Sequence, residues 1–246
     1  MTAPDTFRLL NFFATPPHPC SYLADRQAIT VFADPDFRKD RGVYSTLSRH
    51  GFRRSGPHIY RPRCEGCNAC VPVRVPVAEF RPRRSQRRAW ARNQDLEVRP
   101  RSPRFDLDHY RLYARYLEHR HPGGGMDDPS PEQFMEFLTS PWADTVFFEL
   151  SLGEHLLAVA VADVLDDGLS AVYTFFDPAT ESRSLGVYGV LWEIAEARRL
   201  GLDYLYLGYW IQESPKMNYK SSYQPLEYLH DGRWQREPPG AGVAGP

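Results

Sequence analysis

The densest run of chemically capable side chains is Arg81-Pro82-Arg83-Arg84-Ser85-Gln86-Arg87-Arg88-Ala89-Trp90-Ala91-Arg92. On a helix Arg84, Arg88 and Arg92 fall at i, i+4 and i+8 and form one stripe, with Arg83 and Arg87 beside it. Cations in the first turns oppose the helix dipole and repel one another, a local penalty that bound phosphates would remove. The stripe therefore reads as a face for nucleic acid, against the plainer alternative of a solvated charged face. The distribution of charge favours the first reading: residues 1–104 hold 20 Lys+Arg and 9 Asp+Glu, a net of +11, and the remainder holds 10 and 22, a net of -12. The overall charge of -1 thus conceals a polyanion-seeking half joined to an acidic one.

All four cysteines lie in the basic half, as Cys20 and the spaced set Cys64, Cys67 and Cys70. Four thiolates suffice for a tetrahedral zinc site or an iron-sulfur cluster. In a reducing compartment this spacing favours metal or redox chemistry over disulfides, with reduced structural thiols as the other reading. No apolar run approaches the roughly 20 residues that span a bilayer, and Met1-Thr2-Ala3-Pro4-Asp5 lacks a secretory pattern. The chain reads as cytoplasmic, without a membrane partner, and its 42% hydrophobic content is enough for a core.

These groups must be positioned by regular elements. In the basic half, Thr6 to Phe13 and Ile29 to Ala33 read as strands. Asp36 to His50 reads as a helix with Val43, Tyr44 and Leu47 on one face, closed by Gly51. Val71 to Val77 alternates, but Pro72 and Pro76 predict an edge position. Arg83 to Asn93 is a helix and Leu96 to Arg99 a strand. Asp106 then caps a helix carrying Leu107, Tyr110, Tyr113, Ala114 and Leu117, and Ser130-Pro131-Glu132-Gln133 is a capping box opening a helix to Leu138. Three strands follow at Thr145 to Leu152, Leu156 to Val164 and Leu169 to Phe176, joined by hairpin turns. Leu185 to Leu200 is a helix, Asp203 to Gly208 a strand, Lys216 to Tyr223 a short helix, and a last strand lies near Tyr228. His119-Arg120-His121 with Gly123-Gly124-Gly125 reads as a loop, a candidate lid.

That order matches the GNAT acyltransferase arrangement, in which a helix N-terminus after the fourth strand holds the donor's phosphates. Here the turn is Arg183-Ser184-Leu185-Gly186-Val187-Tyr188, and the bulky Tyr188 argues against coenzyme A as donor. The expected fold is α+β: a small basic N-terminal α/β domain (1–104), then a GNAT-like domain (105–236) with a mixed, mainly antiparallel sheet, then a disordered tail (237–246).

Several stretches resemble, in order, the bacterial aspartate/glutamate leucyltransferases and their eukaryotic arginyltransferase relatives. They are His18-Pro19-Cys20-Ser21-Tyr22-Leu23, Gly51-Phe52-Arg53-Arg54-Ser55-Gly56 with Tyr60-Arg61-Pro62, Ser85-Gln86-Arg87-Arg88, Tyr173 to Pro178, Gly208-Tyr209-Trp210-Ile211, and Lys216-Met217-Asn218-Tyr219-Lys220. The resemblance spans residues 10 to 235. It implies transfer of leucine from leucyl-tRNA to proteins beginning with Asp or Glu, marking them for degradation in the pathway that reads N-terminal residues. Arginyl transfer, an acyl-CoA N-acetyltransferase and a non-catalytic zinc module are the competing readings.

Aminolysis of an activated ester needs no ATP and no obligatory cofactor; positioning of amine and ester is the main task. At the ends of the splaying strands, Asp177 is the candidate to anchor or deprotonate the amine, and Tyr209 to contact the tetrahedral centre. Arg53, Arg54, Lys216 and Lys220 stand in the matching motifs as candidate partners for the acceptor's side-chain carboxylate, the two lysines sharing a helical face.

Overall fold

Alternation of side chains along the strands decides which layer each residue joins, and nowhere more clearly than in β10 (His155–Val164). Ala158, Ala160 and Ala162 face one side of the main sheet, while Val159 and Val161 face the other. The small alanines admit a helix closely; the valines meet aromatic residues. The computed structural model describes residues 10–120 and 129–239; Thr6 to Leu9 of the first expected strand, the loop from His121 through Gly125, and 240–246 of the expected tail lie outside them.

The basic half supplies β1 (Phe12–Ala14), β2 (His18–Pro19), β3 (Gln27–Ala28), β4 (Thr30–Ala33), α1 (Arg41–Arg49), β5 (Arg53–Ser55), β6 (His58–Pro62), β7 (Val71–Pro76), α2 (Arg84–Arg92) and β8 (Glu97–Arg101). The acidic half supplies α3 (Leu107–Arg120), α4 (Pro131–Leu138), β9 (Thr145–Leu152), β10, β11 (Gly168–Phe176), α5 (Leu185–Arg199), β12 (Tyr204–Trp210), β13 (Glu227–His230) and β14 (Arg233–Gln235). Eight strands form one sheet in the order β14-β13-β7-β12-β11-β10-β9-β8, antiparallel throughout except for the pair β11 and β12. A smaller sheet has the order β1-β4-β6-β5. The chain is therefore mixed α and β with a large, mostly antiparallel mixed sheet.

On one face, α5 packs Val190, Leu191, Ile194 and Ala197 against Val71, Val73 and Val75 of β7 and Leu205 and Leu207 of β12. On the other, α3 and α4 bury Leu112, Tyr113, Leu117, Phe134 and Leu138 against Phe147, Val159, Val161 and Phe175. The small sheet and α1 also pack there, through Tyr44, Leu47 and Ile59 against Leu165 and Tyr206.

β7 is not at an edge, contrary to what its prolines predict. It pairs with β12 along its length and with β13 only at Arg74 and Val73. Val77 N donates to Asp203 O at 2.9 Å, so by alternation Val75 and Val73 also turn their N-H groups toward β12. Pro72 and Pro76 therefore face the side where β13 pairing is short, and their missing donors interrupt no ladder. The start of α1 also differs from the expected Asp36. Asp40 Oδ1 accepts the Val43 N-H at 2.9 Å and fixes the first turn.

Candidate active site

The parallel pairing of β11 with β12 is short: Gly168, Leu169 and Ser170 register with Tyr204, Leu205 and Tyr206. Beyond that point β11 stays with β10 and β12 with β7, so the two strands part and open a gap in the sheet. A bulge between Tyr206 and Gly208 begins the divergence, and Gly208 adopts φ +80°.

Parting strands strand their carbonyls, and Arg53 of β5 supplies the missing donors. Its Nη1 donates to Ser170 Oγ at 2.8 Å and to the Tyr206 carbonyl at 3.3 Å, and its Nη2 donates to the Ala171 carbonyl. A Cβ on Gly208 would stand 3.0 Å from Arg53 Nε, so glycine is required there for space as well as for φ.

Helix α5 runs back over the gap. A Cβ on Gly186 would lie 3.2 Å from the Phe176 ring, and one on Gly189 3.3 Å from Thr174. The next inward turn brings Glu193 to the level of the parting point. Glu193 is fully buried, and neither carboxyl oxygen meets a hydrogen-bond partner among the described residues. Burial pushes its carboxyl up to about 8, with the Arg53 charge a smaller opposing influence. Lys220 is also buried and donates to the Tyr209 carbonyl at 2.8 Å; burial first, and the Arg53 charge second, bring its ammonium down to about 7. Burial raises the Tyr219 hydroxyl too, with Glu193 the next contributor.

The residues singled out from sequence are dispersed. Arg54 is sealed against Asp163, with Nε and Nη2 at 2.6 and 2.7 Å from its two carboxylate oxygens and both side chains 0% exposed. Tyr209 is buried, and its hydroxyl donates toward the Gly51 and Tyr60 carbonyls at 2.9 and 3.3 Å, away from the gap. Asp177 starts a 3-10 turn, accepting the Ala179 N-H at 2.9 Å. It stands six residues beyond Ala171, roughly 20 Å along the strand.

Lys216 and Lys220 do not share a helical face. The regular segment is a 3-10 turn over Asn218–Ser222, so Lys216 precedes it and is exposed while Lys220 is buried. Arg83, Arg84, Arg87, Arg88 and Arg92 are all exposed, whereas Gln86 and Ala89 of α2 are buried and Trp90 packs on Tyr188 of α5 at 5.3 Å. Cys70 is pushed up to about 12 by burial and then by the other three cysteines, which places the four in one neighbourhood. Cys67 Sγ instead accepts from Arg26 and Cys64 Sγ from the Ile29 N-H, each at 3.4 Å. No group of three or more Cys, His, Asp or Glu among the described residues is disposed to hold a metal ion.

Glu193 is the residue the sequence reading passed over. The signal was present: an acid at the core-facing spacing of Val190, Ile194 and Ala197.

The chain belongs to the arginine-tRNA-protein transferase family, whose N-terminal and C-terminal family profiles match residues 18–88 and 108–230. Its relatives include the aspartate/glutamate leucyltransferases of Nitrosococcus oceani, 56% identical over 91% of this chain and 94% of that one, and of Pseudomonas fluorescens, 55% identical over 92% and 96%. Among solved structures it is similar to the C-terminal domain of a putative lysylphosphatidylglycerol synthetase from Agrobacterium fabrum, at 12% identity and TM-score 0.45, over 68% of this chain and 51% of that one. So loose a likeness carries no functional argument. No helix among the described residues is long and apolar enough to cross a membrane.

Proposed function

We propose that this protein transfers leucine from leucyl-tRNA to the N-terminal amine of proteins beginning with Asp or Glu, in the cytoplasm, marking them for degradation. The observation that carries the reading is the 56% identity to a leucyltransferase across 94% of that relative's length. The geometry supports a GNAT-like use of the fold, with the acyl group entering where β11 and β12 part. Residues 1–104 then supply the tRNA-facing surface together with β7 and β8 of the main sheet, and 105–236 the rest of the transferase fold.

The reaction is displacement of a ribose ester by an amine. Alignment of the two reactants in the gap supplies much of the acceleration. The exposed stripe of Arg84, Arg88 and Arg92, with Arg83 and Arg87, lies on a helix packed against α5, so phosphates held there lead the charged end toward the gap. Of the four cations proposed for the acceptor, Arg53, Arg54 and Lys220 already serve internal acceptors. Lys216 is exposed and has no hydrogen bond or ion pair among the described residues, so it is the clamp for the Asp or Glu carboxylate.

The test is transfer from separately charged leucyl-, phenylalanyl- and arginyl-tRNA to peptides beginning with Asp, Glu or Ala. Leucine on Asp and Glu peptides is expected, and equal transfer to Ala peptides would sink the reading. Lys216→Ala should lower kcat/KM for acidic peptides about ten- to a hundredfold while sparing tRNA binding, as for loss of a charged hydrogen bond.

A further inference from the structure

Glu193 is the one fully buried acid among the described residues whose two carboxyl oxygens both lack a partner. Asp163, equally buried, takes Arg54 on both oxygens and Thr145 on one. Buried polar groups are almost always hydrogen-bonded, and leucine or methionine would fill a core-facing helix position without penalty. An acid left unpaired beside a functional gap therefore points to partners that arrive with the substrates.

The surroundings are consistent on every side. From β5, Arg53 reaches the parting point; from the 3-10 segment and the residue after it, the hydroxyls of Tyr219 and Tyr223 sense the Glu193 charge. β7 and β12 turn Val73, Val75, Leu205 and Leu207 toward α5, and β10 and β11 turn Ala160 and Thr174. α2 offers Ala89 and Trp90 while its arginines face outward. Among the described residues, no cation pairs with Glu193 directly.

We propose that Glu193 is a catalytic proton relay for aminoacyl transfer, one carboxyl oxygen taking a proton from the attacking α-amine while the other hands a proton to the departing ribose oxygen. This rests on the transferase reading above. The balance closes. The neutral amine attacks the ester carbonyl carbon, the N-C bond forms, and nitrogen gives one proton to the first oxygen of the acid. The second oxygen releases its own proton to the ribose oxygen as the C-O bond breaks, leaving an amide, a free ribose hydroxyl and Glu193 protonated as before.

Such a relay works only from the neutral acid, which burial provides by holding the carboxyl at about 8. The acceptor amine has an ordinary value of about 7.7 to 8.0, so a usable fraction is neutral at the same pH. Near-matched groups exchange protons with little thermodynamic penalty.

The experiment is single-turnover leucyl transfer to an Asp peptide across pH 6 to 10, with wild type, Glu193→Gln and Glu193→Asp, each checked for native circular dichroism and leucyl-tRNA binding. Wild type should give a bell in kcat/KM, rising as the amine loses its proton and falling as Glu193 loses its own. Glu193→Gln should be slower by about a hundredfold or more and should lose the alkaline fall. A proton inventory on wild type needs no variant: two protons in flight give a curved dependence on the D2O fraction. An unchanged rate in Glu193→Gln, a slow variant that keeps the alkaline fall, or a linear inventory would each overturn the relay. A wild type that transfers no leucine from leucyl-tRNA at any pH would instead remove the transferase reading, and the relay with it.

Discussion

Arg53 and Arg54 are neighbours in β5, yet they end in two regions that treat buried charge in opposite ways. Arg54 closes a knot with Asp163, the Leu138 carbonyl and Thr145, tying β5 to α4, β9 and β10. Only its Nη1 is left without a partner. Arg53 caps loose carbonyls at the parting point, and Glu193, whose carboxyl its charge influences, has no hydrogen bond on either carboxyl oxygen among the described residues. The first region has every feature of a structural tie; the second keeps polar groups in reserve for molecules that come and go. Enclosure in the interior is common to both, so burial alone does not mark a working residue. What separates them is whether hydrogen-bonding capacity is already used.

The sharpest way to break this comparison is at the knot. Arg54→Ala leaves the Asp163 carboxylate buried with Thr145 as its remaining donor and should lose about 3 to 5 kcal/mol of folding stability, measured by urea unfolding. The surviving folded fraction should transfer leucine at the normal rate per molecule. A variant of near wild-type stability with abolished transfer would reverse the roles assigned to the two arginines.

A second test uses pH. Glu193 moves from an ordinary 4.5 to about 8 on folding, so between those values the native state holds a proton that the unfolded chain has released. Stability should fall as pH rises through that window, by up to about 1.4 kcal/mol per unit, and the loss is complete above about 8. Lys220 runs the other way: it drops from 10.5 to about 7, so its native site lacks a proton that the unfolded chain keeps, and stability should rise between those values. Subtracting the stability curve of Glu193→Gln from that of wild type isolates the first slope, and Lys220→Met isolates the second. A difference curve flat between pH 5 and 7 would show that Glu193 is not buried in the acid form.

How far the sequence could anticipate this follows from what each signal depends on. Thr145–Leu152 and the two strands that follow it were legible to within a residue because alternation and turn residues are local properties. The helix at Leu185–Arg199 was legible for the same reason, ending before Gly201 with φ +72°. The central place of β7 was not, because it depends on which side its prolines face once the sheet is assembled. Nor could Arg53 be told from Arg54, identical residues in one motif whose partners lie more than 80 positions away. The expected helix over Lys216 to Tyr223 tightened to a 3-10 turn that separates its two lysines. Asp177 follows the last residue of β11 and Tyr209 lies one residue inside the end of β12, both beyond the point where the strands part, and the chain itself offers both of them hydrogen-bond partners.

The smallest expected effect concerns the surface rather than the interior and extends the comparison outward. Arg84 and Arg88 are exposed and have no hydrogen bond or ion pair among the described residues, so they too hold capacity in reserve. Arg92 and Arg83 differ, each donating to a backbone carbonyl, of Ser182 and Ser221. If the free pair contacts tRNA phosphates, Arg84→Ala with Arg88→Ala should lower the slope of log K against log salt by roughly 1.4 to 1.8, at about 0.7 to 0.9 per phosphate. Affinity near physiological salt should weaken only modestly, because the remaining cations keep most of the field. The measurement is a salt titration of leucyl-tRNA binding for wild type and the double variant. Since no buried group changes, the unfolding midpoint should stay within the range of ordinary surface substitutions, about 0.5 kcal/mol. An unchanged salt slope would return the stripe to a solvated charged face. An altered slope with unaltered stability would show that unused capacity marks binding on the outside of this protein as it marks chemistry within.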